Sequence, residues 1–124
     1  MAKLIKLGIL LGLLFFPIKS FSKPSCKLPS QGITSFYAHQ HHGRFTASGE
    51  KFNMHAMTAA NRCLKFGTKL RLTNPKTNKS VIVTINDRGP AAWTKRDLDI
   101  SYGAAKALGL IKQGVGSVLI EQVE

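Results

Sequence analysis

Glu50 follows Ser48-Gly49, and Asp87 opens the run Asp87-Arg88-Gly89-Pro90. Both carboxyls therefore fall in glycine-bearing, turn-like segments. The chain has only 6 acidic residues against 18 Lys and Arg, so acid on a loop is rare here. A carboxyl group can protonate a leaving oxygen when its surroundings favour the acid form. Glu50 and Asp87 are the first candidates for that chemistry, with Asp99 as a third. Asp97, Glu121 and Glu124 complete the acids. The plain alternative is that Glu50 and Asp87 are turn residues, or ion-pair partners of Lys51 and Arg88. Asp99 could equally complement a helix dipole.

The elements that must position these groups read as mostly strands. Ile33–Ala38 is an expected first strand, with Phe36 and Tyr37 as its bulky members. His39–Glu50 is polar and glycine-containing, hence a loop. Lys51–Met57 is a short strand or turn, and Thr58–Asn61 is small and polar. Thr68–Asn86 reads as a hairpin around the turn Asn74–Asn78. In its second arm Val81, Val83 and Ile85 share one face, with Ile82 opposite. A Gly-Pro loop leads on to Arg96. Ser101 is a helix N-cap for Tyr102–Leu108, which stops near Gly109. Gly116–Val123 is the closing strand. Many short strands with one short helix imply a mainly β barrel rather than an α/β sheet.

Four histidines, His39, His41, His42 and His55, raise the question of metal. The H-x-H-H spacing lacks the pattern of a zinc site, so neither metal nor cofactor is expected. Trp93 and Tyr37 are candidate sugar-stacking rings, although core packing is the commoner fate of an aromatic.

Lys3 and Lys6, the apolar run Leu7–Phe16, Pro17 and the small residues Ser20 and Ser22 form the layout of a secretory signal peptide. The run is short for a membrane span. Cleavage after Ser22 is expected, giving residues 1–22 as signal, 23–31 as an N-terminal arm and 32–124 as the domain. An uncleaved anchor and a lipid on Cys26 are the alternatives. The mature chain would carry 15 basic and 6 acidic residues, a formal charge of +9. That excess favours a polyanionic partner. Export points away from nucleic acid and towards the bacterial envelope. No stable membrane insertion is expected after signal removal, and the chain is expected to be monomeric. Cys26 and Cys63 form one disulfide in an oxidising compartment, or remain two thiols.

Four spaced motifs carry a family resemblance. They are Y-x-x-x-H-H-G-R-x-T-A-S-G-E-x-F-x-M-x-A-M-T-A-A from Tyr37, L-x-x-G-T-x-L-R-L-T-N, V-x-V-x-I-N-D-R-G-P and D-I-S-x-x-A-A-x-x-L-G. Together they cover nearly all of Gly32–Val123, and the series resembles the rare lipoprotein A family. The resemblance implies a six-stranded double-psi β-barrel with one or two short helices. It implies a lytic transglycosylase acting on peptidoglycan glycan strands in the periplasm or cell envelope. Glu50 would be general acid and base, Asp87 would stabilise the oxocarbenium-like state or tune Glu50, and Asp99 would be a third catalytic candidate. Tyr37, His42, Arg44, Asn53, Asn61 and Arg88 would line the substrate groove. Two positions depart from the family pattern: Asn53 where Asp is usual, and Asn61 where His is usual. Neither Asn can titrate near neutral pH. An expansin-like module that binds glycan without cutting it is the alternative reading.

Overall fold

The computed structural model describes residues 26–123, so the expected signal peptide lies outside the described residues, as do Lys23–Ser25 and Glu124. Six strands carry the fold: β1 (Gln31–Tyr37), β2 (Thr58–Ala60), β3 (Lys69–Thr73), β4 (Ser80–Asp87), β5 (Leu98–Ser101) and β6 (Val115–Gln122). They close into a barrel in the order β1-β5-β2-β4-β3-β6. The pairs β1–β5 and β2–β4 are parallel, and the other four are antiparallel. Each parallel pair needs a crossover, and the crossing connections supply the loops at the site.

Alternation explains the strands. Leu70 and Leu72 of β3 and Val83 and Ile85 of β4 are fully buried, while Ile82 is exposed. Leu98 and Ile100 of β5 and Val118 of β6 join them, and Ala104, Ala105 and Leu108 pack in from one side. Those three come from α1 (Tyr102–Leu108). Ser101 caps the helix by accepting a hydrogen bond from the Ala104 N–H at 3.2 Å. Gly109 ends it in the left-handed region at φ 73°. Gly103 makes the close approach at the helix start. A Cβ there would lie 2.5 Å from the His55 carbonyl oxygen, and the Gly103 N–H donates to Met54 O at 2.8 Å.

Two segments differ from the sequence reading, while Lys51–Met57, expected as a short strand or turn, is a turn with a single bridge, Lys51 to Phe45. The small, polar Thr58–Asn61 instead supplies β2, held between β4 and β5. Alanines fit there because both neighbours crowd it: Ala59 and Ala60 are buried. The second is β5, which places Asp99 inside a strand rather than at a helix start. Cys26 and Cys63 are joined in a disulfide with Cα atoms 5.8 Å apart. Cys26 and Leu28 of the arm pack against the core.

Candidate functional site

The acids sort themselves by what they touch. Asp97 accepts a hydrogen bond from the Ile33 N–H at 2.8 Å, which pins β1. Glu121 pairs with Arg71 at 3.3 Å, both well exposed, a contact of small energetic value. Among the described residues Glu50, Asp87 and Asp99 remain; the barrel brings the two aspartates to one cleft, and the Glu50 loop is tied to the end of β4.

The sheet sets the two aspartates in one row. Ala60 of β2 is the register partner of Asp87 on β4 and of Asp99 on β5. Asp99 is in turn opposite Ser35 of β1. The β2–β4 register shifts between Ala59 and Ala60, so Asn86 is an extra residue there. Such a bulge re-aims the side chain that follows it, here Asp87. The small Ala60 side chain leaves room between the carboxylates. Tyr37, His41, Ala60, Asp87, Arg88 and Asp99 line the resulting cleft of about 140 Å³.

Each aspartate is anchored. Asp87 Oδ1 accepts from the N–H groups of Ala47 and Arg88, both at 2.9 Å. Asp99 Oδ1 accepts from the Arg96 guanidinium at 3.1 Å and from the Ser35 hydroxyl. Arg96 also donates to Ser35, closing a three-member network.

Glu50 arrives by a different route. A hairpin-like loop returns on itself through Gly43 N–H to Phe52 O at 2.9 Å and Thr46 N–H to Glu50 O at 2.8 Å. Its tip is tied to the end of β4, because Ala47 donates to Asp87 and Ser48 N–H donates to Asn86 O at 3.2 Å. Gly49 takes the turn at φ 93°. Glu50 is exposed, and its carboxylate accepts only from the Ser48 hydroxyl at a long 3.4 Å among the described residues. Phe45, 72% exposed, lies on the same loop, with the Lys51 ammonium 5.8 Å from its ring centre.

The remaining expected groove residues divide. His42 is exposed and accepts from the Met54 N–H at 3.1 Å through Nδ1, which leaves Nε2 as its donor. Arg44 is exposed on the Glu50 loop. Asn53 is exposed, but its side-chain oxygen holds the His55 N–H at 2.9 Å. Asn61 does not reach the cleft surface. It is buried, accepts from Cys63 and Leu64 N–H at 2.9 and 2.8 Å, and donates to Asp97 O at 3.1 Å. Its amide is a turn brace, and a titrating ring would have no open side there. Arg88 shares the cleft, yet its guanidinium donates to Leu64 O at 2.8 Å and lies 3.9 Å over the Phe66 ring. Tyr37 is half-buried and lines the cleft, with Phe52 packed at 4.5 Å and His41 edge-on at 5.6 Å between ring centres. Burial first, then the charges of Asp87 and Asp99, push its phenol far above the ordinary range.

Sequence reasoning missed Ser35, Arg96, Ala60 and Arg62. Ser35 lies two residues before Tyr37 and Arg96 three before Asp99, spacings that could have flagged both. Arg62 bonds Pro90 O at 3.0 Å and Arg96 O at 2.8 Å. It thereby clamps the base of the loop that carries Trp93, which is 85% exposed. That loop runs from Arg88 to Arg96, between the two aspartates. Among the described residues no group of three His, Cys, Asp or Glu could hold a metal ion. Larger grooves of about 540 and 510 Å³ lie by Ile33 and Val115 and by Cys63 and Phe66, and no acid lines either. Chemistry, not volume, singles out the small cleft.

Comparison with known proteins agrees in fold and family. The probable endolytic peptidoglycan transglycosylase RlpA of Synechocystis sp. is 50% identical over 93 residues, 75% of this chain and 29% of that protein. Its Nostoc sp. counterpart is 53% identical over 100 residues, 78% of this chain and 26% of that protein. The endolytic peptidoglycan transglycosylase RlpA of Neisseria meningitidis is 46% identical over 92 residues, 74% of this chain and 38% of that protein. The chain therefore spans between 26% and 38% of the length of these relatives. Among solved structures, Streptomyces papain inhibitor superposes with a TM-score of 0.60 at 16% identity, covering 76% of this chain and 93% of that one. An expansin of Clavibacter michiganensis, solved with cellohexaose, gives 0.60 at 21%, covering 77% and 50%. These two likenesses concern the double-psi barrel fold alone. The family model described as lytic transglycolase matches residues 29–120, and the chain belongs to that family.

Proposed function

We propose that this domain is an endolytic lytic transglycosylase of peptidoglycan. It would cleave the bond between N-acetylmuramic acid and N-acetylglucosamine without water. Glu50 gives its proton to the glycosidic oxygen as the C1–O bond breaks. Positive charge then develops at C1 and the ring oxygen, facing Asp87, with Asp99 behind it as the second fixed carboxylate. The Glu50 carboxylate takes the proton from the C6 hydroxyl, whose oxygen closes on C1. The product carries a 1,6-anhydro end and the acid is regenerated, so one group serves in both steps. A hydrolase would instead need a positioned water or a covalent glycosyl intermediate.

The observation that supports this reading is the sorting of the acids. Asp97 and Glu121 are engaged elsewhere, Asp87 and Asp99 share one cleft, and the loop that carries Glu50 is tied to Asp87 through the Ala47 N–H. The relatives' names support the substrate, and exposed Phe45 and Trp93, on the Glu50 loop and on the loop after Asp87, suit sugar faces. We assign the groove contacts to His42, Arg44 and Trp93. The domain division at 22 and 31, export to the envelope and a monomeric state belong to the same reading. Among the described residues no helix is long and apolar enough to cross a membrane.

A second reading has one observation behind it. Asn53 and Asn61 are both spent on backbone hydrogen bonds, and neither can carry a proton. A module that binds strands without cutting them would fit that. Incubation with purified sacculi, intact and stripped of stem peptides, separates the two. Anhydro-muropeptides found by mass spectrometry support cleavage. Salt-sensitive wall binding without such products, unchanged in Glu50→Gln, supports the binding module and rejects the enzyme.

A further inference from the structure

One polar atom at the cleft has no part in the chemistry above. The Tyr37 hydroxyl oxygen is buried and has no hydrogen-bond partner among the described residues. A buried donor left unmade is costly, so an acceptor belongs within its reach. Four charged or titratable groups share the cleft with Tyr37: Asp87 from β4, Arg88 beyond it, Asp99 from β5, and His41 from the turn after β1. Arg88 has turned to the carbonyls of Asn61 and Leu64. Asp99 already has a cation and a hydroxyl, from Arg96 and Ser35. Asp87 is different. Both of its partners are backbone N–H groups on Oδ1, and no donor among the described residues reaches Oδ2. Its charge also weighs more on the phenol than that of Asp99, and the phenol keeps its proton throughout the working range.

Building on the transglycosylase reading, we propose that Tyr37 is a positioning residue for Asp87. Its hydroxyl donates a hydrogen bond to the second oxygen of that carboxylate, which aims it into the cleft. The packing of its ring against Phe52 and His41 fixes where the hydroxyl points. The backbone N–H groups hold one side of the carboxylate and the phenol holds the other.

The test is Tyr37→Phe, which removes the hydroxyl and keeps the ring. Since no other partner of that hydroxyl lies among the described residues, the variant should stay folded and melt only slightly below wild type. Losing a donor makes a carboxylate easier to protonate. The acid limb of the cleavage profile should therefore move to higher pH, with the loss of rate confined to that limb. The plateau above it should change by less than about threefold. Carbon-13 titration of the carboxyl groups gives a readout that needs no turnover. The Asp87 signal should titrate at higher pH in Tyr37→Phe than in wild type, while the Glu121 signal stays put. Superimposable Asp87 titrations, or a loss of rate equal at every pH, would overturn the inference. If wild type yields no anhydro products while the Asp87 titration still moves, the enzymatic reading fails and the Tyr37–Asp87 coupling stands.

Discussion

Asp87 and Asp99 are held by a sheet, whereas Glu50 is held by a loop. The aspartates sit in register across β4, β2 and β5, and each accepts two hydrogen bonds. Glu50 is exposed and touches one hydroxyl at 3.4 Å. The difference matches what each would have to do. A group that faces developing charge works best when fixed beforehand. A group that gives a proton and then takes one from a different oxygen needs freedom to follow. The fold therefore splits rigidity and mobility between its carboxyls, and joins them at one point, the Ala47 N–H on Asp87.

Removing the loop acid should have the largest effect. Glu50→Gln should lower anhydro-product formation by about 10²–10⁴-fold. Its urea stability should stay within about 0.5 kcal/mol of wild type, because nothing in the barrel leans on its carboxylate. A large stability loss would break the contrast. The disulfide probes a third constraint, between the N-terminal arm and the turn after β2. Closing a loop of 37 residues should contribute about 4 kcal/mol by chain entropy. Cys26→Ser with Cys63→Ser should cost up to that in denaturant, with cleavage per folded molecule unchanged.

Asp87→Ala should behave unlike Glu50→Gln. Two backbone N–H groups lose their acceptor, so a stability loss of about 1–3 kcal/mol should accompany the loss of product. Alkaline titration sharpens the same point from Tyr37. Its folded phenol is raised above the unfolded value, so the unfolded chain releases the proton first. Stability is then intact below about pH 10 and falls above it, by about 1.4 kcal/mol per pH unit, and Tyr37→Phe should flatten that decline. Trp93→Ala should show the smallest change: KM raised several-fold, worth about 1 kcal/mol, with the fold intact.

Much of this was legible in the residues. The alternation of Val81, Val83 and Ile85 gave β4, and Ser101 with Gly109 bounded the helix. β2 was not legible, since Thr58-Ala59-Ala60 has neither bulk nor alternation, and only its two crowding neighbours make it a strand. β5 hid because Leu98–Ser101 runs straight into a helix cap. Glu50, Asp87 and Asp99 stood out by scarcity of acid. Their partners Ser35 and Arg96 did not, because register between strands distant in sequence brings them to Asp99. Asn61 looked like a groove residue by motif position. Its burial and three hydrogen bonds follow from the turn after β2, which no spacing rule announces.

The central claim, that these carboxyls break a glycan strand without water, is tested most directly with isotopic water. Sacculi digested in water enriched in oxygen-18 should release muropeptides with unlabelled 1,6-anhydro ends, and Glu50→Gln should release almost none. Reducing ends carrying oxygen-18 would make the protein a hydrolase and contradict the account.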